Sequence, residues 1–289
     1  MRTVTLCALL VCLITSLAVA QPFDIRAAAS QAPDLKFPAS PKTLGLFSSL
    51  EMAIYKPDGA GPFPALVLVH TCGGLRPEIQ DWTKNALSRG YVAFVIDSLG
   101  PRGVKSVCIP PSPVNIWRGA KDAFQALEHL QRFDFVDQSR IGLMGFSWGA
   151  MVGLLVNSRA VAEALSPSGR FASVASFYPA CYFSTARGGV EFLRPDTDRP
   201  TLVLMAELDN ETPPSDCLPR LEALKSKDAP VSWHLYPKAT HCWDCASLDN
   251  LTKTDFQGNR VSYRFDRAVT KDSARRAFDF FAEHMSARK

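Results

Sequence analysis

The sequence predicts an α/β protein in which a mostly parallel central sheet is covered by helices on both faces. Three observations carry this. Continuous apolar runs of strand length recur, as at 65–70 and 91–96, and such runs suit strands buried on both faces. Segments with helical apolar spacing lie between them, the alternation that builds parallel sheets. Finally, Gly145-Phe146-Ser147-Trp148-Gly149 follows a strand-like run, 141–144, and leads into a helix-like one. In that setting a G-x-S-x-G pentapeptide is a sharp strand-to-helix turn. It lifts the serine hydroxyl above the sheet, and its glycines admit close backbone.

The elements come in this order. Residues 1–20 read as a signal peptide: Arg2 gives a positive start, 4–19 is apolar, and Ala18-Val19-Ala20 is a small-residue cleavage site before Gln21. Val11 is too bulky for Cys12 to mark a lipoprotein signal. Residues 21–43, rich in Ala, Pro, Ser and Gln, read as a poorly ordered lead-in. One domain then spans 44–289. It begins with strands at 50–55 and 65–70, a helix at 79–88 and a strand at 91–96. A Gly/Pro-rich loop follows Asp97, and a helix spans 117–131, with Ala120, Phe124, Leu127 and Leu130 on one face. After the Ser147 turn come a helix at 150–157, strands at 174–178, 202–206 and 231–236, and a final helix at 268–285. The polar segment 242–263 lacks clear periodicity. It is compatible with a pocket lining, a lid or a surface excursion.

A net charge of +4 over 289 residues, without any Lys/Arg cluster, gives no sign of a nucleic-acid partner. Export implies an oxidising compartment, periplasmic or extracellular, with no stable membrane anchor after cleavage. Cys7 and Cys12 leave with the signal peptide. Cys72, Cys108, Cys181, Cys217, Cys242 and Cys245 remain, a set with 15 possible disulfide pairings. Cys242-x-x-Cys245 has no second C-x-x-C to complete a structural zinc site and no thioredoxin-like surroundings.

A serine becomes a nucleophile only when a base takes its proton and a third group orients that base. In this turn's fold the partners come in the order serine, acid, histidine. His241 lies just past the 231–236 strand, at the sheet edge where active-site loops gather. His284 sits on the terminal helix, and His129 and His234 read as surface or packing residues. Asp209, in the turn after the 202–206 strand, is the first choice for the acid and Glu207 the second. The oxyanion of an acyl-transfer intermediate needs two N–H donors. Trp148, next to the serine, supplies one. Cys72, in the Thr71-Cys72-Gly73-Gly74 loop after the 65–70 strand, supplies the other.

The chain resembles the dienelactone hydrolase family of α/β-hydrolases from about Leu50 to the C-terminus. The resemblance is carried by 62–74, 90–103, 135–149, Glu207-Leu208-Asp209 and Tyr236–His241. It implies a triad of Ser147, Asp209 and His241, with oxyanion donors at Cys72 and Trp148, the same residues reached above. Members that open dienelactones carry cysteine where Ser147 stands and glutamate where Thr71 stands. The chain is therefore similar to the exported, serine-type branch. The resemblance further implies that Arg102 holds a substrate carboxylate and that Cys181 pairs with Cys217. A Cys242–Cys245 bridge would stiffen the loop of His241. The expected function is hydrolysis of a small-molecule carboxylic ester or lactone through an acyl-serine, with no metal or organic cofactor. The same machinery serves acyltransferases and peptidases. A non-catalytic binding protein on this fold would be expected to lack a triad residue or an elbow glycine.

Overall fold

A computed structural model describes residues 23–42, 50–166, 169–185 and 188–286; the expected signal peptide lies outside them. The chain begins with α1 (Ile25–Ala29), β1 (Ala53–Tyr55), β2 (Phe63–Val69), α2 (Glu78–Leu87), β3 (Val92–Ile96), α3 (Ile116–Leu130) and β4 (Val136–Phe146). Next come α4 (Trp148–Val156), α5 (Arg159–Leu165), β5 (Val174–Phe177), β6 (Tyr182–Thr185) and β7 (Gly188–Glu191). The last elements are β8 (Thr201–Ala206), α6 (Leu218–Lys225), β9 (Val231–Tyr236), β10 (Thr252–Thr254), β11 (Arg260–Ser262) and α7 (Arg267–His284).

The central sheet has seven strands in the order β1-β3-β2-β4-β5-β8-β9. Only β1, at one edge, is antiparallel to its neighbour; the remaining pairings are parallel. Strand alternation divides β2 between two apolar cores. Ala65, Val67 and Val69 face α3 and α4, where Phe124, Leu127, Val152 and Leu155 are buried. Leu66 and Leu68 face α2 and α7, with Trp82, Phe278 and Phe281. The α4 helix is buried at every position, so its apolar sequence reflects its place between the sheet and its helical neighbours.

Parallel pairing has one consequence for chemistry: β2, β4, β5, β8 and β9 all end at the same edge. The segments beginning at His70, Ser147, Tyr178, Glu207 and Pro237 therefore converge, as expected of ligand sites in open parallel sheets.

Several boundaries differ from the sequence reading. The β4 strand starts at Val136, not Ile141. Val136 pairs with Phe63 and Ile141 with Ala65 across an irregularity in the ladder, and the intervening Asp137–Arg140 are exposed or half-buried, which hides them from an apolar-run criterion. Two hairpins outside the main sheet, β6–β7 and β10–β11, are too short and polar to stand out. The stretch read as a poorly ordered lead-in is packed over 23–42. Asp24 caps α1 by accepting from Arg26 N and Ala27 N, Ala29 is buried, and the Arg26 guanidinium donates to Ala164 O at 2.8 Å. Its composition is that of a poorly ordered terminus, but tertiary contacts order it. Among the described residues, no helix is long and apolar enough to cross a membrane.

Candidate active site

Ser147 occupies the turn between β4 and α4 with φ 52° and ψ −110°. A non-glycine residue there stores roughly 1–3 kcal/mol of strain. The surroundings enforce it: Ser147 N donates to Phe177 O at 2.9 Å. A Cβ on Gly145 would collide with the Gly149 carbonyl, and one on Gly149 with the Val69 carbonyl. Both glycines are therefore steric requirements of the turn.

His241 and Asp209 meet Ser147 at the same sheet edge. His241 Nδ1 lies 2.7 Å from Asp209 Oδ2, and Nε2 lies 3.0 Å from Ser147 Oγ. A carboxylate only accepts, so Nδ1 carries the proton and Nε2 is left to accept from the serine hydroxyl. All three residues are buried. Asp209 is itself held: Oδ1 accepts from Glu211 N at 3.0 Å and Thr212 N at 2.9 Å, and the Thr212 hydroxyl donates to Oδ2 at 2.8 Å. Glu207, the second choice for the acid, is exposed and accepts from Lys238 N. Burial lowers the His241 pKa, but the Asp209 and Glu211 carboxylates outweigh it and hold it above the ordinary 6.5.

The amides of Cys72 and Trp148 donate to no protein acceptor among the described residues, so both are available to an oxyanion. The Cys72 side chain is bonded to Cys108, and Val107 N donates to Cys72 O at 2.8 Å. This ties the oxyanion loop to the Gly/Pro-rich loop. Behind it, His70 is neutral: Nδ1 donates to Thr71 O at 2.6 Å and Nε2 accepts from Ser98 N at 3.1 Å. Burial pushes its pKa down. Its ring stacks on Trp148, with centroids 5.6 Å apart, linking the two segments that carry the Cys72 and Trp148 amides.

Arg102 is not where the resemblance put it. Its guanidinium grips Asp122 through Nη1 at 2.7 Å and Nη2 at 2.8 Å, and Nε donates to Pro33 O at 2.8 Å. The same carboxylate accepts from Arg118 Nε at 3.0 Å, and Arg118 reaches Asp34 at 2.8 Å. Arg102 is thus a buried structural cation that holds the N-terminal arm. Loop position alone could not separate this role from substrate binding, because its partner sits on α3.

Cys181 pairs with Cys217 and Cys242 with Cys245. Cys242, Asp244 and Cys245 are also the one cluster of possible metal ligands among the described residues. They do not suit a metal: both sulfurs are spent on each other, and Asp244 accepts from Trp82 Nε1 at 2.7 Å and the Tyr178 hydroxyl at 2.8 Å. This buried carboxylate, its pKa raised by burial, anchors the loop that carries His241. Of the other histidines, His129 packs against Phe37 and Phe94, His234 against Tyr236, and His284 against Phe280.

Sequence reasoning missed Glu211, Thr212, Tyr178 and Asp244. The Asp209-Asn210-Glu211-Thr212 run did offer a signal for Thr212, since an aspartate accepting from the residues two and three ahead is a common turn. Nothing local signalled the others.

Residues 50–285 match the dienelactone hydrolase family. The chain belongs to that family. It is accordingly an ester-bond hydrolase by membership, and no curated protein matches it closely enough to add to this. Among solved structures, it is similar to a provisionally named dienelactone hydrolase from Klebsiella pneumoniae, with TM-score 0.60 and 19% identity over 80% of this chain and 93% of that one. It is also similar to Thermogutta terrifontis esterase 2 phosphorylated by paraoxon, with TM-score 0.60 and 17% identity over 82% of this chain and 90% of that one. The same esterase with butyrate bound gives TM-score 0.58 and 16% identity over 82% and 91%. At such identities these likenesses establish the shared fold.

Two cavities of this dienelactone hydrolase family member open onto Ser147. The larger, about 410 Å³, is mainly apolar, with Val107, Ile116, Trp148, Met151, Phe183 and Phe192 in its walls. The smaller, about 100 Å³, carries the charged and polar side chains Arg76, Glu211, His241, Lys253, Thr71 and Tyr263 among apolar neighbours such as Leu248 and Leu251. Segment 242–263 is therefore a pocket lining: Leu248, Leu251, Lys253 and Tyr263 wall the small cleft and Phe256 the large one. Arg102 borders neither.

Proposed function

We propose that the protein is an exported serine hydrolase that cleaves carboxylic esters or lactones through an acyl-serine intermediate. The observation that carries this reading is the continuous Ser147–His241–Asp209 hydrogen-bond chain, 3.0 Å and 2.7 Å long at its two links. Ser147 Oγ attacks the carbonyl as His241 Nε2 takes its proton. Asp209 keeps the imidazole in the productive tautomer and stabilises the imidazolium. The Cys72 and Trp148 amides bind the oxyanion. The intermediate collapses, His241 returns the proton to the departing alkoxide, and water, deprotonated by His241, releases the acid.

A phosphorus ester is a suitable probe, since the Thermogutta esterase 2 is phosphorylated by paraoxon. Treatment of the purified mature protein with paraoxon or a fluorophosphonate should modify Ser147, as read by peptide mass spectrometry, and abolish hydrolysis of a short-chain nitrophenyl ester. Ser147→Ala should take no label and lose about 10⁴-fold or more in turnover. A folded wild-type protein that neither labels nor turns over the ester would overturn the reading. Export rests on the basic start, apolar run and Ala18-Val19-Ala20 site, and the three disulfides among the described residues suit an oxidising compartment. Intact mass of the protein recovered outside the cytoplasm should correspond to a chain starting at Gln21.

A further inference from the structure

The two cavities at Ser147 are unlike, and the reaction decides which part of an ester enters each; this division rests on the ester-hydrolase reading of the site. The leaving oxygen must face His241 Nε2, because that atom returns its proton. His241 lines the small cleft that holds the charged side chains and not the large apolar cavity, whereas Ser147 and Cys72 line both. On that reading the acyl chain extends into the large apolar cavity and the alcohol into the small cleft with the charged groups.

The charged groups of that cleft are Arg76, Lys253 and Glu211, beside His241. Glu211 and Lys253 largely offset each other: Lys253 Nζ lies 2.8 Å from Glu211 Oε1, and the Tyr263 hydroxyl donates to Oε2. Arg76 is different. It is half-buried, and among the described residues no carboxylate lies within ion-pair distance of its guanidinium and no carbonyl accepts from it. A cation partly withdrawn from water gains from an anionic partner. The planar guanidinium fork matches a carboxylate through two parallel hydrogen bonds.

We propose that Arg76 selects the leaving group, and that the enzyme prefers esters joining an apolar acyl group to a small hydroxy acid whose free carboxylate pairs with Arg76. In the reaction the bond from Ser147 Oγ to the acyl carbon forms as the bond to the hydroxy-acid oxygen breaks. His241 protonates that oxygen, and water then splits the acyl-serine to give the apolar acid and regenerate Ser147.

The test compares butyryl glycolate with its neutral analogue butyryl glycolamide, which differ only in whether the leaving group ends in a carboxylate or an amide. Wild type should show the higher kcat/KM on the glycolate. In Arg76→Ala the glycolate/glycolamide ratio of kcat/KM should fall about 10- to 100-fold, and Arg76→Lys should recover part of it. Equal turnover of the pair by wild type overturns the proposal. So does an equal fall on both substrates in Arg76→Ala, which marks a structural role. Should Arg76→Ala fail to fold, the wild-type ratio and the Arg76→Lys ratio decide. If neither ester is hydrolysed and Ser147 takes no label, the ester-hydrolase reading fails as well. Hydrolysis without carboxylate preference removes only the role of Arg76.

Discussion

Glu211 Oε2 lies 3.8 Å from Nε2 of His241, the nitrogen that also faces Ser147 at 3.0 Å. The His241 imidazole therefore has a carboxylate at each nitrogen. Burial raises the Glu211 pKa, but His241, Lys253 and Tyr263 outweigh it and keep the carboxyl below its ordinary value, hence ionised at neutral pH. A base must be neutral to accept a proton. The kcat/KM for a neutral ester should thus rise with pH through a midpoint above 6.5, given the raised His241 pKa. Glu211→Gln should move that acid limb to lower pH. An unmoved limb would mean that Glu211 does not act on the imidazole. The stability linkage has the opposite sense: the favourable pairing of protonated His241 is fully present below the unfolded pKa and is lost as pH rises through the higher folded one.

Thr212 donates to the same Asp209 oxygen that accepts from His241. Thr212→Val removes this donor and leaves the backbone donors to Oδ1 in place. Loss of a group that orients a catalytic residue typically costs 10- to 100-fold, so kcat should fall by about that factor, with less change in KM. Steady-state kinetics on one ester decides this; an effect on KM alone would refute it.

Arg102 and Asp122 are both buried, with side-chain exposures of 4% and 0%. Arg102→Ala leaves Asp122 short of a partner and should cost about 3–5 kcal/mol in denaturant unfolding, releasing the N-terminal arm held at Pro33. KM should hold for the fraction that remains folded. A raised KM with unchanged stability would restore Arg102 as a substrate ligand.

The Cys72–Cys108 bridge closes a separation of 36 residues. On chain-entropy grounds, replacing both with serine should lower stability by about 4 kcal/mol, measured by chemical denaturation. Because Cys72 N is a proposed oxyanion donor, turnover should fall as well, toward the 10²- to 10³-fold typical of one lost donor. Loss of stability with turnover intact would mean that the bridge is not needed to hold the residue-72 amide in place.

The strand runs, the Ser147 turn and the order Ser147, Asp209, His241 were legible in the sequence because each is a local pattern. Buried parallel strands are continuously apolar, the elbow tolerates only glycine at its flanks, and catalytic partners come after strand ends. Those rules also led to Cys72 and Trp148, whose backbone positions depend on chain order alone. What the tertiary structure decided was pairing across distance. Arg102 looked like a loop cation until α3 brought Asp122 beneath it, and residues 23–42 looked like a poorly ordered lead-in until the Arg102–Asp122–Arg118 network anchored them. Likewise, Glu211 became a second carboxylate for His241, and Arg76 a cation in a cleft with no ion-pair partner among the described residues, only once five strand ends met at one edge. Periodicity records how each segment faces the core, but the energy of a buried charge depends on which partner the fold delivers to it.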